Sequence, residues 1–150
     1  MAEQSERRTY LPAGLPIPSA APDGLDKEYW EATRQHEIRI QHCARCGTFQ
    51  FPAEWICNKC HSFEMEWTKV APRGVIYSWE RVWHPAHRAL AEACPYIVVV
   101  VTLTDAPGVR LIGNLLGDPR QEVRIDSPVE AVFEDHDEGY TLIQWQPSRR

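Results

Sequence analysis

Between residues 42 and 62 the chain reads HCARCGTFQFPAEWICNKCHS, so that Cys43-x-x-Cys46 and Cys57-x-x-Cys60 stand ten residues apart. Two residues between thiolates let one tight turn present both sulfurs to a single ion, and two such knuckles complete a tetrahedron. Gly47 suits the positive φ that follows a knuckle, and Thr48-Phe49-Gln50-Phe51-Pro52 can form the hairpin that brings the second knuckle back. Four sulfur ligands leave no open position for water, so the spacing predicts a structural ion, zinc, and not a hydrolytic one. Iron in an electron-transfer site is the alternative this ligand set leaves open. Arg45 and Lys59, one inside each knuckle, are placed to offset the net charge of about -2 on such a centre. His42 and His61 flank the four cysteines and are not needed as ligands.

Upstream, Glu37 to Gln41 has a period of two, with Ile38 and Ile40 pointing one way and Arg39 and Gln41 the other, as in a half-exposed strand. Before it, Asp26 can cap a helix that runs to about His36, with Leu25, Tyr29, Trp30 and Thr33 on one face for docking on its own barrel or on a partner, docking within the chain being the preferred reading. Residues 1–24 read as an extended arm, because Pro12, Pro16, Pro18 and Pro22 lie among small residues. This arm is either a mobile tail or a segment laid along a partner through Leu11, Leu15 and Ile17.

Downstream, five runs read as strands: Gly74 to Trp83, Tyr96 to Thr104, Val109 to Leu116, Val129 to Glu134 and Tyr140 to Trp145. Turn signals at Asp105-Ala106-Pro107-Gly108, Gly117-Asp118-Pro119 and Asp137-Glu138-Gly139 separate them, and a longer loop, His84 to Pro95, joins the first two. Tyr96 to Val101 is apolar at every position, which predicts a central strand covered on both faces. Five strands after a short appendage suggest a partly open barrel of the OB type. The expected organisation is therefore an arm (1–24), a helix and leading strand (25–41), a zinc ribbon (42–68) and an OB-fold (69–150), in a mainly β chain.

The chain has 150 residues, 43% of them hydrophobic, which suffices for one ordinary core plus a metal-stabilised appendage. Its formal net charge of -5 repels phosphate polyanions, and no basic stripe interleaved with aromatics is present, so nucleic acid is not the expected partner. An OB-fold with a zinc ribbon keeps nucleic-acid binding as an alternative function. No run of about 18 apolar residues occurs and the N-terminus MAEQSERRTY has no apolar leader core, which argues against a membrane. Five cysteines, four of them in Cys-x-x-Cys pairs, fit metal thiolates in a reducing compartment, so the expected location is the cytoplasm.

The order of Ile38-Arg39-Ile40-Gln41-His42-Cys43-Ala44-Arg45-Cys46-Gly47, Phe51-Pro52, Cys57-Asn58-Lys59-Cys60, Trp67, Gly74-Val75-Ile76-Tyr77-Ser78, Cys94-Pro95-Tyr96-Ile97-Val98 and Val109-Arg110-Leu111-Ile112-Gly113-Asn114 covers about 120 residues. In that order the chain resembles the acyl-CoA-associated family, long catalogued as a domain of unknown function, that joins a rubredoxin-like zinc ribbon to an OB-fold. The resemblance implies a non-catalytic accessory subunit of a thiolase-superfamily complex, either a thiolase or an aldolase. Such subunits bridge catalytic subunits and help bind or pass on an acyl-CoA thioester during degradative C–C cleavage. The chain is similar to stand-alone members, such as the small subunit of a benzoylsuccinyl-CoA thiolase, and its length leaves no room for the hot-dog hydratase to which others are fused. A hetero-oligomer with a catalytic partner is expected. The acyl group, the stoichiometry and the direction of the partner's reaction stay open.

No catalytic residue is assigned. A thiolase needs a nucleophilic Cys with His acid/base groups, and only Cys94 stands outside the knuckles, beside a buried strand where structural thiols are usual. For contact with CoA or the partner the candidates are Trp83, His84, Arg73 and Arg81, with Lys69, Arg88, Arg110, Trp79 and His87 as further residues of the same chemistry. Scattered Lys and Arg ordinarily serve as solubility charges, and Val75, Tyr77, Trp79 and Trp83, at alternate positions, are expected on one strand face for packing or partner contact.

Overall fold

A computed structural model describes residues 9–148 of the chain; the expected arm therefore lies outside the described residues over positions 1–8. The helix, α1 (Lys27–Arg34), falls where expected. Asp26 is at its N-cap, but the carboxylate does not cap the helix. Its Oδ1 accepts from the Ala21 amide at 2.8 Å and its Oδ2 from the Trp30 indole at 3.0 Å, which ties the end of the arm to the helix. Thr33 and Ala32 are buried on the inner face, and Tyr29 packs against the core, so the helix docks within the chain. A relay of ion pairs fastens its outer side: Glu28 to Arg39, Arg39 to Glu37 at 3.3 Å, and Glu37 to Lys69 at 2.7 Å.

Three strands follow the order β2-β1-β3, with β1 (Ile38–Cys43), β2 (Phe49–Gln50) and β3 (Met65–Val70) all antiparallel. The register runs from Ile38 opposite Val70 to Cys43 opposite Met65, so one end of this small sheet enters the apolar core and the other carries the first cysteine. Ile38 and Ile40 are fully buried, as the alternation requires. Gln41, expected on the solvent side, is buried too. The reason is the loop after β2, whose backbone needs partners that no ladder supplies. Gln41 Oε1 accepts from the Gln50 side-chain amide at 3.1 Å and from the Glu54 backbone at 3.0 Å, while Gln50 Oε1 accepts from the Asn58 backbone at 3.0 Å.

The second sheet has five strands in the order β6-β5-β4-β7-β8: β4 (Arg73–Val82), β5 (Tyr96–Leu103), β6 (Arg110–Asn114), β7 (Pro128–Asp135) and β8 (Thr141–Pro147). These are the five expected runs, and they make an OB-like sheet that curls without closing. Its ends meet at a single parallel bridge, Leu115 to Trp145, with the Leu116 amide donating to the Trp145 carbonyl at 2.8 Å. One residue earlier the Asn114 amide donates instead to the Gln144 side chain at 2.7 Å. Gly113 permits this approach: a Cβ there would stand 2.4 Å from the Ile143 carbonyl and 2.9 Å from the Trp145 ring. Ile97, Val99, Val101, Leu103, Val129 and Trp145 fill the concave side together with Ile38 and Ile40.

Two expectations fail for identifiable reasons. Tyr96 to Val101 is neither the central strand nor covered on both faces; β4 is central, and the β5 residues Val98, Val100 and Thr102 are only half-buried on the convex side. Valine suits a pleated, half-exposed surface, so a continuous run of it does not imply two covers. The second concerns β4, where Ile76 pairs with Val101 but Ser78 pairs with Val100, leaving Tyr77 as a bulge. One extra residue reverses the alternation. Val75 thus faces outward opposite Thr102, whereas Trp79, opposite Val99, packs on the core.

No helix among the described residues is long and apolar enough to cross a membrane. The arm from residue 9 to residue 24 has no helix or strand and lies against the β7–β8 side of the barrel.

Candidate metal centre and contact residues

The two knuckles are built alike. Cys43 N–H donates to the Thr48 carbonyl and Cys57 N–H to the Ser62 carbonyl, both at 2.9 Å. Gly47 N–H returns to the Cys43 carbonyl at 2.8 Å and His61 N–H to the Cys57 carbonyl at 3.0 Å. The residue after each knuckle is left-handed, with φ of 73° at Gly47 and 59° at His61. A pseudo-repeat, Cys-x-x-Cys-x-(Thr/Ser), thus generates two equal turns facing each other.

All four sulfurs lie within 4.8 Å of one another, with Cys43 to Cys60 and Cys46 to Cys57 each at 3.6 Å. A tetrahedron with metal–sulfur bonds of about 2.3 Å needs sulfurs about 3.8 Å apart, so the cage fits one ion. The electrostatics of the bare donor set also ask for a cation. The Thr48 hydroxyl, 3.1 Å from Cys46 Sγ, and the Thr48 amide lower Cys46 to about 6. Amides of Cys60 and Lys59 lower Cys57. Although the Ser62 amide pulls Cys60 down, burial and the neighbouring thiols push it up to about 12. Four thiolates this close cannot all ionise without a compensating charge.

Arg45 and Lys59 are exposed and pair with no carboxylate among the described residues. His42 is committed elsewhere, with Nδ1 2.8 Å from the Thr68 hydroxyl and Nε2 3.6 Å from Glu66. Around the cage the ribbon exposes large apolar groups, Phe63 at 77% and Trp55 at 60%.

The contact candidates do not form one group. Trp83 is half-exposed and His84 exposed at the end of β4, and the Arg120 guanidinium lies 5.2 Å from the centre of the Trp83 ring. Arg81 is nearby but engaged: Nε donates to the Pro119 carbonyl at 2.9 Å and Nη2 to that of Gln121 at 2.6 Å. Arg73 begins the same strand, eight residues before Arg81 and ten before Trp83. Of the others, Lys69 serves Glu37, Arg110 lies 3.7 Å over the Tyr77 ring, and His87 Nδ1 accepts the Ala89 amide in a short 3-10 turn. Cys94 is half-buried and makes no hydrogen bond to an imidazole among the described residues. Sequence reasoning missed Thr48, the Gln41–Gln50 pair and Arg120. The first was legible in the repeat of CARCGT as CNKCHS; the others depend on long-range placement.

Two family models match consecutively. Residues 30–66 match the ChsH2 rubredoxin-like zinc ribbon domain and residues 67–134 the ChsH2 C-terminal OB-fold domain. The chain belongs to the ChsH2 zinc-ribbon/OB-fold family. Among solved structures, a chain described as an Ltp2-ChsH2(DUF35) aldolase is 32% identical, with a TM-score of 0.74 over 87% of this chain and 98% of that one. A DUF35-family protein of unknown function from Sulfolobus solfataricus shares the fold at a TM-score of 0.61 and 14% identity, over 86% of this chain and 87% of that one. A probable enoyl-CoA hydratase alpha subunit of Thermomonospora curvata is 35% identical over 124 residues, 82% of this chain and 38% of that protein. The 3-oxo-4,17-pregnadiene-20-carboxyl-CoA hydratase alpha subunit of Mycobacterium tuberculosis is 28% identical over 151 residues, 92% of this chain and 46% of that protein. The chain thus spans less than half the length of these curated relatives. The resemblance read from the residues is the family found.

Proposed function

We propose that this ChsH2-family chain is the non-catalytic accessory subunit of a thiolase-like complex, whose partner carries out degradative C–C cleavage on an acyl-CoA. The observation that supports this most directly is its likeness over 98% of a chain from an Ltp2-ChsH2(DUF35) aldolase. Chemistry agrees with a supporting role: a cage of four sulfurs has no open coordination site, and among the described residues no imidazole hydrogen-bonds to Cys94, as the base of a thiolase nucleophile would. Cys43, Cys46, Cys57 and Cys60 hold one zinc ion, which makes the front of the chain rigid.

Within this reading Trp83 and His84, with Arg120, form the contact site for the CoA moiety or the partner. Arg81 acts by fixing the 119–121 loop beside them, and Arg73 serves a separate contact at the far end of β4. The test pairs the purified chain with a thiolase-like protein encoded in the same genome. A stable complex with one zinc per accessory chain, and acyl-CoA cleavage by the mixture that neither component performs alone, is the expected result. Turnover of a thioester by this chain alone, or failure of every such protein to co-elute with it, would overturn the assignment. Red protein containing iron would replace zinc in it.

A further inference from the structure

The convex face of the β7–β8 hairpin carries Val132 and Glu134 opposite Gln144 and Leu142. On a solvated outer face such residues would be exposed, yet Gln144 is 3% exposed and the Glu134 side chain 8%. Part of the cover is the arm, whose Tyr10 amide reaches Glu134, and the rest comes from the 92–96 and 116–119 segments. Two clefts, of about 490 and 430 Å³, flank it and share Thr9, Leu11, Glu134 and Gln144, so they are two halves of one trough that the arm crosses.

The fastening is unusual for a packed segment. Between Tyr10 and Ile17 one backbone amide, that of Tyr10, donates to the protein among the described residues, to Glu134 Oε2 at 2.8 Å. The other oxygen of that carboxylate is 2.8 Å from His136 Nε2, and the imidazole stacks on Tyr140. Glu134 is therefore held in place before the arm arrives. In the trough floor the Gln144 side-chain oxygen accepts from the Asn114 amide at 2.7 Å, which fixes the floor independently of the arm. Glu92, Glu134, Asp135 and Glu138 on the walls repel an anionic occupant, and residues 9–18, TYLPAGLPIP, carry no charge.

We infer that this face is a groove for an extended, uncharged, proline-bearing polypeptide segment, with the chain's own residues 9–18 as its exchangeable resident. Three prolines in ten residues keep that segment extended and reduce the entropy lost on seating it. The Tyr10 amide on Glu134 and the half-buried Tyr10 phenol beside the Ile97 backbone hold the strap, which belongs to no ladder and can leave without unravelling one; its departure frees the half-buried Leu11 and Leu15.

The experiment removes the fastening from the arm side and leaves the groove intact. Tyr10→Pro deletes both arm-side holds, the amide that Glu134 accepts and the phenol beside the Ile97 backbone, in a segment that has no helix or strand to disrupt. A fluorescent, end-blocked peptide of residues 9–18 is then titrated onto the full chain. We expect it to bind the Tyr10→Pro chain at least tenfold more tightly than the unaltered chain, and to lose that gain when Glu134→Ala is added. Equal affinity for the first two chains, or no binding to either, overturns the inference. Hydrogen exchange on the unaltered chain is an independent check. Slow exchange at the Tyr10 amide, with neighbouring arm amides fast, supports the single backbone fastening, and a Tyr10 amide that exchanges at the free-peptide rate refutes it.

Discussion

The knuckle end of the ribbon and the barrel lie on one continuous strand pair, yet they are held by different forces. At the Ile38 end of β1 the side chains enter a core that includes Ile97, Val99, Val101 and Trp145. Five residues on, at Cys43, that support has ended, and Phe63 and Trp55 are largely exposed. Apolar burial of about 25 cal/mol per Å² holds the barrel together. It contributes little between the knuckles, where four sulfurs and a pair of buried glutamines organise the backbone. The contrast shows how a short segment can keep hydrophobic side chains exposed without collapsing on them: its order comes from the sulfur cage and the buried glutamine pair.

The largest expected effect follows from removing that ion. Structural zinc in comparable small sites contributes on the order of 10–16 kcal/mol of apparent binding free energy, more than the ribbon can replace. Cys57→Ser should take the metal content from one per chain to none. Hydrogen exchange should then show lost protection over residues 43–64, while Tyr96–Leu103 in β5 remains protected. Loss of both regions together would show that ribbon and barrel are one cooperative unit, and the contrast would be wrong.

A smaller break can be made on the barrel side. Gly113→Ala puts a Cβ against the Ile143 carbonyl and the Trp145 ring, neither of which is a flexible side-chain end. Overpacking of this kind costs about 1–3 kcal/mol. The denaturant midpoint of the barrel should fall accordingly, with zinc stoichiometry unchanged. Together with Cys57→Ser this makes a double dissociation, one variant losing metal and keeping the barrel, the other the reverse.

How much of this could be read from the residues follows the same division. The ligand set was legible because a metal cage is a local pattern: two Cys-x-x-Cys turns and a Gly say where four sulfurs point. The five strands were legible because alternation and turn residues are local too. What escaped notice depends on register. The bulge at Tyr77 reverses which β4 side chains enter the core, and nothing in GVIYSWERV marks it. Gln41 looks like an outward polar residue until the loop whose amides it satisfies is placed beside it. Arg73 and Arg81 look alike as cations, but eight positions along a strand separate them and only Arg81 meets two carbonyls.

The joint between the two regions supplies the smallest expected effect and the finest test. His36 at the end of α1 is left-handed, with φ of 57°, and stacks on Phe133 while its Nε2 reaches Asp135 at 2.9 Å. The Thr141 hydroxyl, donating to the same carboxylate at 2.7 Å, is the main cause of its lowered pKa, and His36 is the second. A carboxylate whose folded pKa lies below its unfolded value of about 3.9 stabilises the folded state above that value, and the contribution disappears as pH falls through the folded pKa. Both His36 and Asp135 are more than half exposed, so solvent and salt screen the pair and the effect is modest. Stability of the unaltered chain, read as a urea midpoint, should therefore decline below about pH 4 slightly more steeply than that of Asp135→Asn. The two curves should approach each other at the acid end, where the carboxylate is protonated. Parallel curves would mean that Asp135 does not couple helix to barrel, and that the joint rests on the His36–Phe133 stack and the packing of Tyr29, Ala32 and Thr33.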